Sequence, residues 1–360
     1  MVNIDVVIAG AGIWGCTLAR RFAESGRKAL VLEKRSVVGG NVRCEIDKET
    51  GIEIHLYGSH IFHTSIPEVW SFVNRFTEFN GYQHKVIARH GGKSYFLPVG
   101  LALINSFFGV ELTPSQVPAF MADTKNATAI FDAFFRGYTS KQWGCAPEDV
   151  DPSIIKRVPV RSTYDVNYFN DYCQGIPREG YNSLFDRLLD HPNITVECNS
   201  PVRIEDGKLF TPAGILPSVP VYYSGPVDEL FGYCYGYLPW RTLRFETESL
   251  DVADFQGSSV VNYPEIDVPY TRIHEFKHYH PERKETMLLP KTIITREYSA
   301  TWKEGDEPYY PVDNKHSREL IERYKSKARE MPNFVLGGRL GAYKYFDMDK
   351  SIEDALKVEI

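Results

Sequence analysis

Three features of the 360-residue chain predict an α/β fold. Its first forty residues read as strand, glycine-rich turn, helix and strand. A section from about Pro98 to Asp149 has few strand-like alternations and reads as helical. Residues 241–300, with "RTLRFETESL" and "TIITREYS", alternate as strands do. Together they describe a Rossmann-like domain with a helical insertion and an antiparallel β-sheet domain.

The opening segment is the most specific. Val6, Val7, Ile8 and Ala9 form the first apolar run, and Gly10, Gly12 and Gly15 follow in GxGxxG order. Leu18, Ala19 and Phe22 continue at helical spacing, Gly26 stops the helix, and Ala29 to Leu32 forms the next strand, ending at Glu33. A glycine turn alone is weak evidence, but here its context is complete. Gly10 permits the turn, Gly12 lets backbone approach a pyrophosphate, and Gly15 permits close packing. The helix N-terminus supplies free N–H groups, and Glu33 stands where an acceptor meets ribose hydroxyls. The continuation "EKRSVVGGN", with Arg35, Gly39, Gly40 and Asn41, resembles the extended FAD fingerprint of glutathione-reductase-like flavoproteins, so FAD is the expected dinucleotide.

Composition limits the partners. The charged fraction is 24%, the apolar fraction 43%, and the net charge −6. That balance gives no general attraction to nucleic acid or an anionic membrane, so an anionic ligand needs a local arginine cluster. The six cysteines show no zinc spacing and read as reduced thiols of a cytoplasmic protein. No apolar run reaches membrane-spanning length, so no membrane insertion is expected. Aromatic residues make up 13% of the chain, which suits both core packing and a pocket that stacks on rings.

The C-terminal "NFVLGGRLGAYKYFDMDKSIEDALKV" reads as strand, glycine turn and helix. The expected organisation is therefore discontinuous. Residues 1–80, 190–232 and 330–360 form the FAD-binding domain. Residues 98–165 form the helical substrate domain, with a mobile loop near 150–160. Residues 81–97, 166–189 and 233–329 form the antiparallel sheet domain.

The stretch "LYGSHIFHT" places His60 and His63 three residues apart. On their own they could ligate a metal, carry a proton or simply pack. No HExxH or cysteine–histidine cluster accompanies them, so no metal is expected. The stretch belongs to a longer series: "YGSHIFHT", "FFRGYTSKQWG", "IIKRVPVRSTYDVNYF", "QGIPREGY", "YYSGPVDELFGY", "RTLRF", "NYPEIDVPYTRIHE", "REYS", "PYYPV" and "GRLGAYKYFDMD". In this order, and over essentially the whole chain, these blocks resemble the UDP-galactopyranose mutase family.

The resemblance implies a flavin-dependent isomerase that interconverts pyranose and furanose forms of a nucleotide-diphosphate hexose, with reduced FAD as the active form and a flavin N5–sugar adduct on the way. It implies galactofuranose supply for cell-surface polysaccharide, and a homodimer. His63 would hydrogen-bond near the reactive flavin nitrogen and His60 would shape the sugar side. Arg157 would lie on a loop closing over substrate, with Arg272 and Arg339 approaching the phosphates or flavin from the body. Guanidinium forks suit phosphate oxygens better than point charges do. Tyr138 would stack on the pyrimidine and Trp143 would line the closed pocket, with Tyr168 and Phe169 nearby. Tyr310 and Tyr345 would donate hydroxyls to the diphosphate, Arg241 in "RTLRF" would join the substrate set, and Asp347 and Met348 would meet the flavin. For any one of these residues, packing or a surface ion pair is the plainer alternative.

Two positions depart from the family pattern. Ser59 replaces a usual proline, and His84 stands where an asparagine is typical. Both touch the part of the pocket expected to read the hexose, so UDP-galactose is the default substrate and another nucleotide-linked deoxy or acetamido hexose is the alternative. An FAD-dependent oxidase is the alternative of another class; it leaves the arginines and "GYTSKQW" without a role.

Overall fold

The computed structural model describes residues 4–150, 159–205 and 207–360. Its first layer is a five-stranded, wholly parallel sheet. The central strand β1 (Val6–Ala9) is flanked by β2 (Ala29–Leu32) and by Val221–Tyr223, and the edges are Ile194–Glu197 and Phe334–Leu336. All four residues of β1 are buried, as expected for a parallel strand covered on both faces. Strands from three remote parts of the sequence thus share one sheet, and the C-terminal strand returns to its edge.

Helix α1 (Ile13–Glu24) starts at the glycine turn and buries Trp14, Leu18, Ala19 and Phe22. Gly10 has φ +111°, a left-handed backbone that glycine tolerates. A Cβ on Gly15 would lie 2.0 Å from the Gly10 carbonyl oxygen. The third glycine therefore permits the helix to start directly on the turn as well as to pack on the strand.

The second layer is a seven-stranded sheet in the order Tyr310–Pro311, Trp240–Leu250, Thr292–Thr301, Arg272–Glu275, Val260–Asn262, Val86–His90, Lys93–Leu97. It is antiparallel except where Val260–Asn262 pairs in parallel with Val86–His90. The section from Leu101 to Trp143 is helical, including a π-helical turn at Asp132–Arg136.

Two segments sit elsewhere than the expected boundaries placed them. The helix Tyr181–Leu189 belongs beside α1: Arg20 donates to the carbonyls of Arg187 and Asp190, and Phe185 packs against Gly39. The helix Lys315–Arg329 buries Leu320, Ile321, Tyr324 and Ala328 in one core with Ala9 and Tyr223. The reason is common to both. A parallel sheet must be covered on each face, and these amphipathic helices supply cover although they lie next to sheet-domain strands in sequence. The mobile loop expected near 150–160 falls largely outside the described residues. Among the described residues no helix is long and apolar enough to cross a membrane.

Replacing Gly15 by alanine drives a methyl group into the Gly10 carbonyl. Overpacking of this kind typically costs roughly 1–3 kcal/mol. Chemical denaturation of Gly15→Ala is expected to show a loss in that range, where a surface Gly→Ala change would show almost none.

Candidate active site

Two clefts lie on either side of the segment Tyr345–Met348. The first runs along the glycine turn and is lined by Gly10, Gly12, Glu33, Arg35, Gly39, Gly40 and Asn41 from the N-terminal part, and by Arg339 and Met348 from the C-terminal part. Glu33 is fixed at its floor: Oε2 accepts from the Ala11 N–H at 2.8 Å and Oε1 from the Arg35 N–H at 2.9 Å. Arg35 binds Asn41 and Glu307, yet its Nη1 is buried without a protein partner among the described residues. The close approach of Gly12 and Gly40, where an added Cβ on Gly40 would meet Gly12 Cα at 3.0 Å, keeps side chains out of the cradle. A bare backbone turn, an anchored carboxylate and an orphan guanidinium nitrogen fit a dinucleotide.

His60 also lines this cleft. Its backbone N–H donates to His55 Nδ1 at 3.0 Å, and its own Nδ1 lies 2.7 Å from the Gly58 carbonyl. Burial, and then the charge of Arg339, push the His60 imidazole down to about 4, so it is neutral near pH 7. His55 sits close to Cys44 and Glu53, near enough for a shared ion. Because its Nδ1 accepts the His60 N–H, the neutral His55 ring carries its proton on Nε2, which is buried without a partner among the described residues, and His55 alone anchors the His60 backbone.

His63 lies apart from the first cleft. It is on the strand Phe62–Thr64, paired with Cys173–Gly175. Its Nδ1 is 2.7 Å from Asp171 Oδ2, Ser65 donates to the other oxygen of Asp171, and its ring stacks on Phe169 at 3.7 Å. The Asp171 partner, which is not legible in the sequence, fixes the ring.

The second cleft encloses about 1100 Å³ and is lined by Tyr138, Trp143, Arg272, Tyr310, Tyr343 and Tyr345. The helix Gly137–Trp143, which carries the first two, is held rigidly. Lys141 Nζ donates to the carbonyls of Tyr263, Glu265, Val268 and Tyr270 at 2.5–2.9 Å. Arg241 donates to the carbonyls of Lys141 and Gln142 and to the hydroxyls of Ser299 and Thr301. This corrects the expectation for Arg241. Its guanidinium caps the end of the helix, satisfying carbonyls that a helix C-terminus leaves open, and it contributes to the cleft through that helix.

Arg272 forms the cationic wall. It pairs across the sheet with Glu297, Nε to Oε1 at 2.8 Å, and among the described residues neither Nη has a protein partner. Its side chain is 26% exposed while that of Glu297 is 2% exposed, so the carboxylate is the buried anchor and the fork faces outward. Burial opposes ionisation of Glu297, but Arg272 and His274 outweigh it and hold the carboxyl down to about 2. Neither Glu297 nor His274 was singled out from the sequence. Their signal there was only a charged residue within a strand pattern, and the register that joins them was not legible.

Tyr345 corrects a detail. Its hydroxyl donates to Asp347 Oδ1 at 3.0 Å, so its proton is already committed. Arg339 donates to the Phe346 carbonyl and lies over the Tyr345 ring at 4.9 Å. The segment Tyr345–Met348 is thus the partition between the clefts: Tyr345 lines one, Phe346 and Met348 the other. His84 is buried against Phe169 and Tyr168, 3.3 Å from the Tyr82 hydroxyl, in the wall and not in the lining of either cleft. Tyr168 is 42% exposed. Arg157 lies outside the described residues.

Fold and site define a Rossmann-type enzyme with a dinucleotide cleft beside an arginine- and tyrosine-lined cleft. Residues 133–345 match the model of the UDP-galactopyranose mutase family, and residues 8–76 that of an NAD(P)-binding Rossmann-like domain. The chain is 37% identical to the probable UDP-galactopyranose mutase of Klebsiella pneumoniae, over 99% of this chain and 94% of that protein. It is also 37% identical to the dTDP-fucopyranose mutase of Escherichia coli, over 98% and 96%. In fold it is similar to a reduced UDP-galactopyranose mutase in crystals, with TM-score 0.73 and 16% identity over 98% and 94% of the chains. A putrescine oxidase shares the fold at TM-score 0.58 and 11% identity, over 98% and 97%. The chain belongs to the UDP-galactopyranose mutase family, and is thereby an isomerase rather than the oxidase that its fold alone would permit.

The Glu297 carboxyl gives the site an acid limit. Its folded value, about 2, lies below the ordinary 4.5, so its stabilisation is complete above about pH 4.5 and is lost as pH falls toward 2. Unfolding free energy measured against pH is expected to fall less steeply between 4.5 and 2 in Glu297→Gln than in the parent, from a lower starting stability.

Proposed function

We propose that the protein is an FAD-dependent mutase, active with reduced flavin, that interconverts pyranose and furanose forms of a nucleotide-diphosphate hexose. The observation that carries this reading is the outward fork of Arg272 in a tyrosine-lined cleft, one partition away from the dinucleotide cradle. When bound and reduced, the flavin supplies a nucleophilic nitrogen able to displace the diphosphate from the anomeric carbon.

The chain's own residues bind, orient and screen. Tyr138, on its clamped helix, offers a ring face to the base, and Trp143 stands at the rim, 47% exposed. Arg272 receives the diphosphate through its two Nη groups, and the Tyr310 hydroxyl adds a donor beside it. Arg339 orients the partition through the Phe346 carbonyl. Neutral His60 presents a hydrogen-bonding ring to the cofactor side without adding a charge. His63, expected beside the reactive flavin nitrogen, is held by Asp171 and stacked on Phe169 outside the lining of both clefts, so its part is to support the wall rather than to touch the ligand. The family resemblance assigns Arg157 to the diphosphate as a further cation.

UDP-galactose is the default substrate. A second reading, a deoxyhexose on another nucleotide, is favoured by the 37% identity to a dTDP-fucopyranose mutase, equal to that with the probable UDP-galactopyranose mutase; Ser59 and His84, which line neither cleft, would act on the choice only through their neighbours. A site built on one hydroxyl pattern rejects another because its polar groups are left unpaired.

Dithionite-reduced, FAD-loaded protein incubated with UDP-galactose and with dTDP-, CDP- and GDP-linked deoxyhexoses should ring-isomerise at least one of them without consuming reductant stoichiometrically. Equal turnover by oxidised enzyme in air contradicts the reading. A deoxyhexose should be turned over more efficiently than UDP-galactose; a wide margin for UDP-galactose makes Ser59 and His84 neutral to specificity.

Arg157→Ala should raise KM and lower turnover while FAD content stays at the parental level. A lost charge-assisted phosphate contact typically costs about 1.5–3 kcal/mol. Steady-state kinetics indistinguishable from the parent would remove Arg157 from the site.

A further inference from the structure

Ser59, one of the two departures from the family pattern, makes a contact that nothing in the proposed chemistry uses. Its Oγ is 2.6 Å from His274 Nδ1, the other ring nitrogen of His274 is 3.0 Å from Glu297 Oε2, and Glu297 Oε1 accepts from Arg272 Nε at 2.8 Å. His274 is fully buried. Two sequence-remote elements are joined this way: the Gly58–His60 turn, which reaches the dinucleotide cleft through His60, and the strand that carries the Arg272 fork.

We propose that Ser59, His274 and Glu297 form a positioning relay that holds Arg272 toward the diphosphate. This inference rests on the reading of Arg272 as the diphosphate ligand.

The proton inventory allows one arrangement at neutral pH. Burial lowers the His274 basicity, so the ring is neutral. A carboxylate accepts only, so the ring proton faces Glu297 from Nε2, and Nδ1 accepts the Ser59 O–H. Each member has a single role and the chain has one direction. The Glu297 carboxylate, with its second oxygen held by His274, cannot swing, and Arg272 Nε follows it. A proline at position 59 has no hydroxyl and would leave the buried Nδ1 without its donor. The departure from the family pattern therefore comes with a matching partner, His274.

A double-mutant cycle on the FAD-loaded enzyme tests the relay, with UDP and dTDP as the titrated probes. Ser59→Ala should weaken binding of the better probe by about fivefold, the usual worth of one neutral hydrogen bond, and raise KM more than it lowers kcat. Ser59→Thr, which keeps the hydroxyl, should restore binding to about parental level. In an Arg272→Ala background, Ser59→Ala should add almost nothing, because there is no fork left to aim. Loss of the same size in both backgrounds, or no loss in the parent background, overturns the relay. Should Ser59→Ala fail to retain FAD, His274→Gln keeps a donor for Glu297 and should bind better than His274→Leu; equal binding by the two overturns the proposal. If Arg272→Ala itself leaves UDP and dTDP binding unchanged, the diphosphate assignment falls and takes the relay with it. If Arg272→Ala weakens binding and Ser59→Ala does not, the relay alone is wrong.

Discussion

The structure depends on one close contact between the two ends of the chain. The glycine turn after β1 must meet the C-terminal return, and no side chain fits between them. A Cβ on Gly337 would lie 2.0 Å from the Trp14 ring, and one on Gly341 would lie 2.7 Å from the Tyr223 carbonyl. Trp14 in turn donates its indole N–H to Asp354 at 2.7 Å. This closure brings Arg339 and Met348 to the cleft of the turn that bears Gly10 and Gly12. Without it the cradle would have one wall, and the partition between the clefts would not exist.

The second layer answers a different physical demand. An anionic ligand in a protein of net charge −6 needs cations that are local, fixed and not neutralised by their anchors. The sheet meets this by burying acids and exposing guanidinium forks. Glu297 sits under Arg272. The same device is turned inward at Arg241 and Lys141, where cations bind carbonyls and so hold the helix that presents Tyr138 and Trp143. Two arginines from the strands on either side of Thr292–Thr301 thus do opposite jobs, and burial decides which: Arg241 is 4% exposed, while the Arg272 side chain is 26% exposed.

How much of this was legible follows from the range of each signal. Local signals were read correctly: the GxGxxG turn, the helix after it, Glu33 at the end of β2, and the strand–turn–helix of the C-terminus. Each is set by a few neighbouring residues. The helix Lys315–Arg329 was placed in the wrong layer because its amphipathic pattern says that it needs a partner face but not which one. Arg241 was read as a ligand because a strand arginine shows its charge in the sequence but not its burial. His274, Glu297 and Asp171 were missed because their roles come from pairing: Arg272 opposite Glu297 across strands, and His63 to Asp171 over 108 positions. His274 and Glu297 stand inside the quoted blocks "NYPEIDVPYTRIHE" and "REYS", so the resemblance marks their segments but not the cross-strand contact between them, while Asp171 lies between two blocks.

The central claim is that a nucleoside diphosphate lies across the second cleft with its phosphates on Arg272 and its base on Tyr138. A crystal structure of the FAD-loaded protein with bound UDP or dTDP tests it most directly. The account predicts diphosphate oxygens within hydrogen-bond distance of the Arg272 Nη atoms and the pyrimidine against the Tyr138 ring, with FAD along the Gly10–Gly15 turn. A diphosphate bound at any other surface, with Arg272 still pointing into empty solvent, would contradict it.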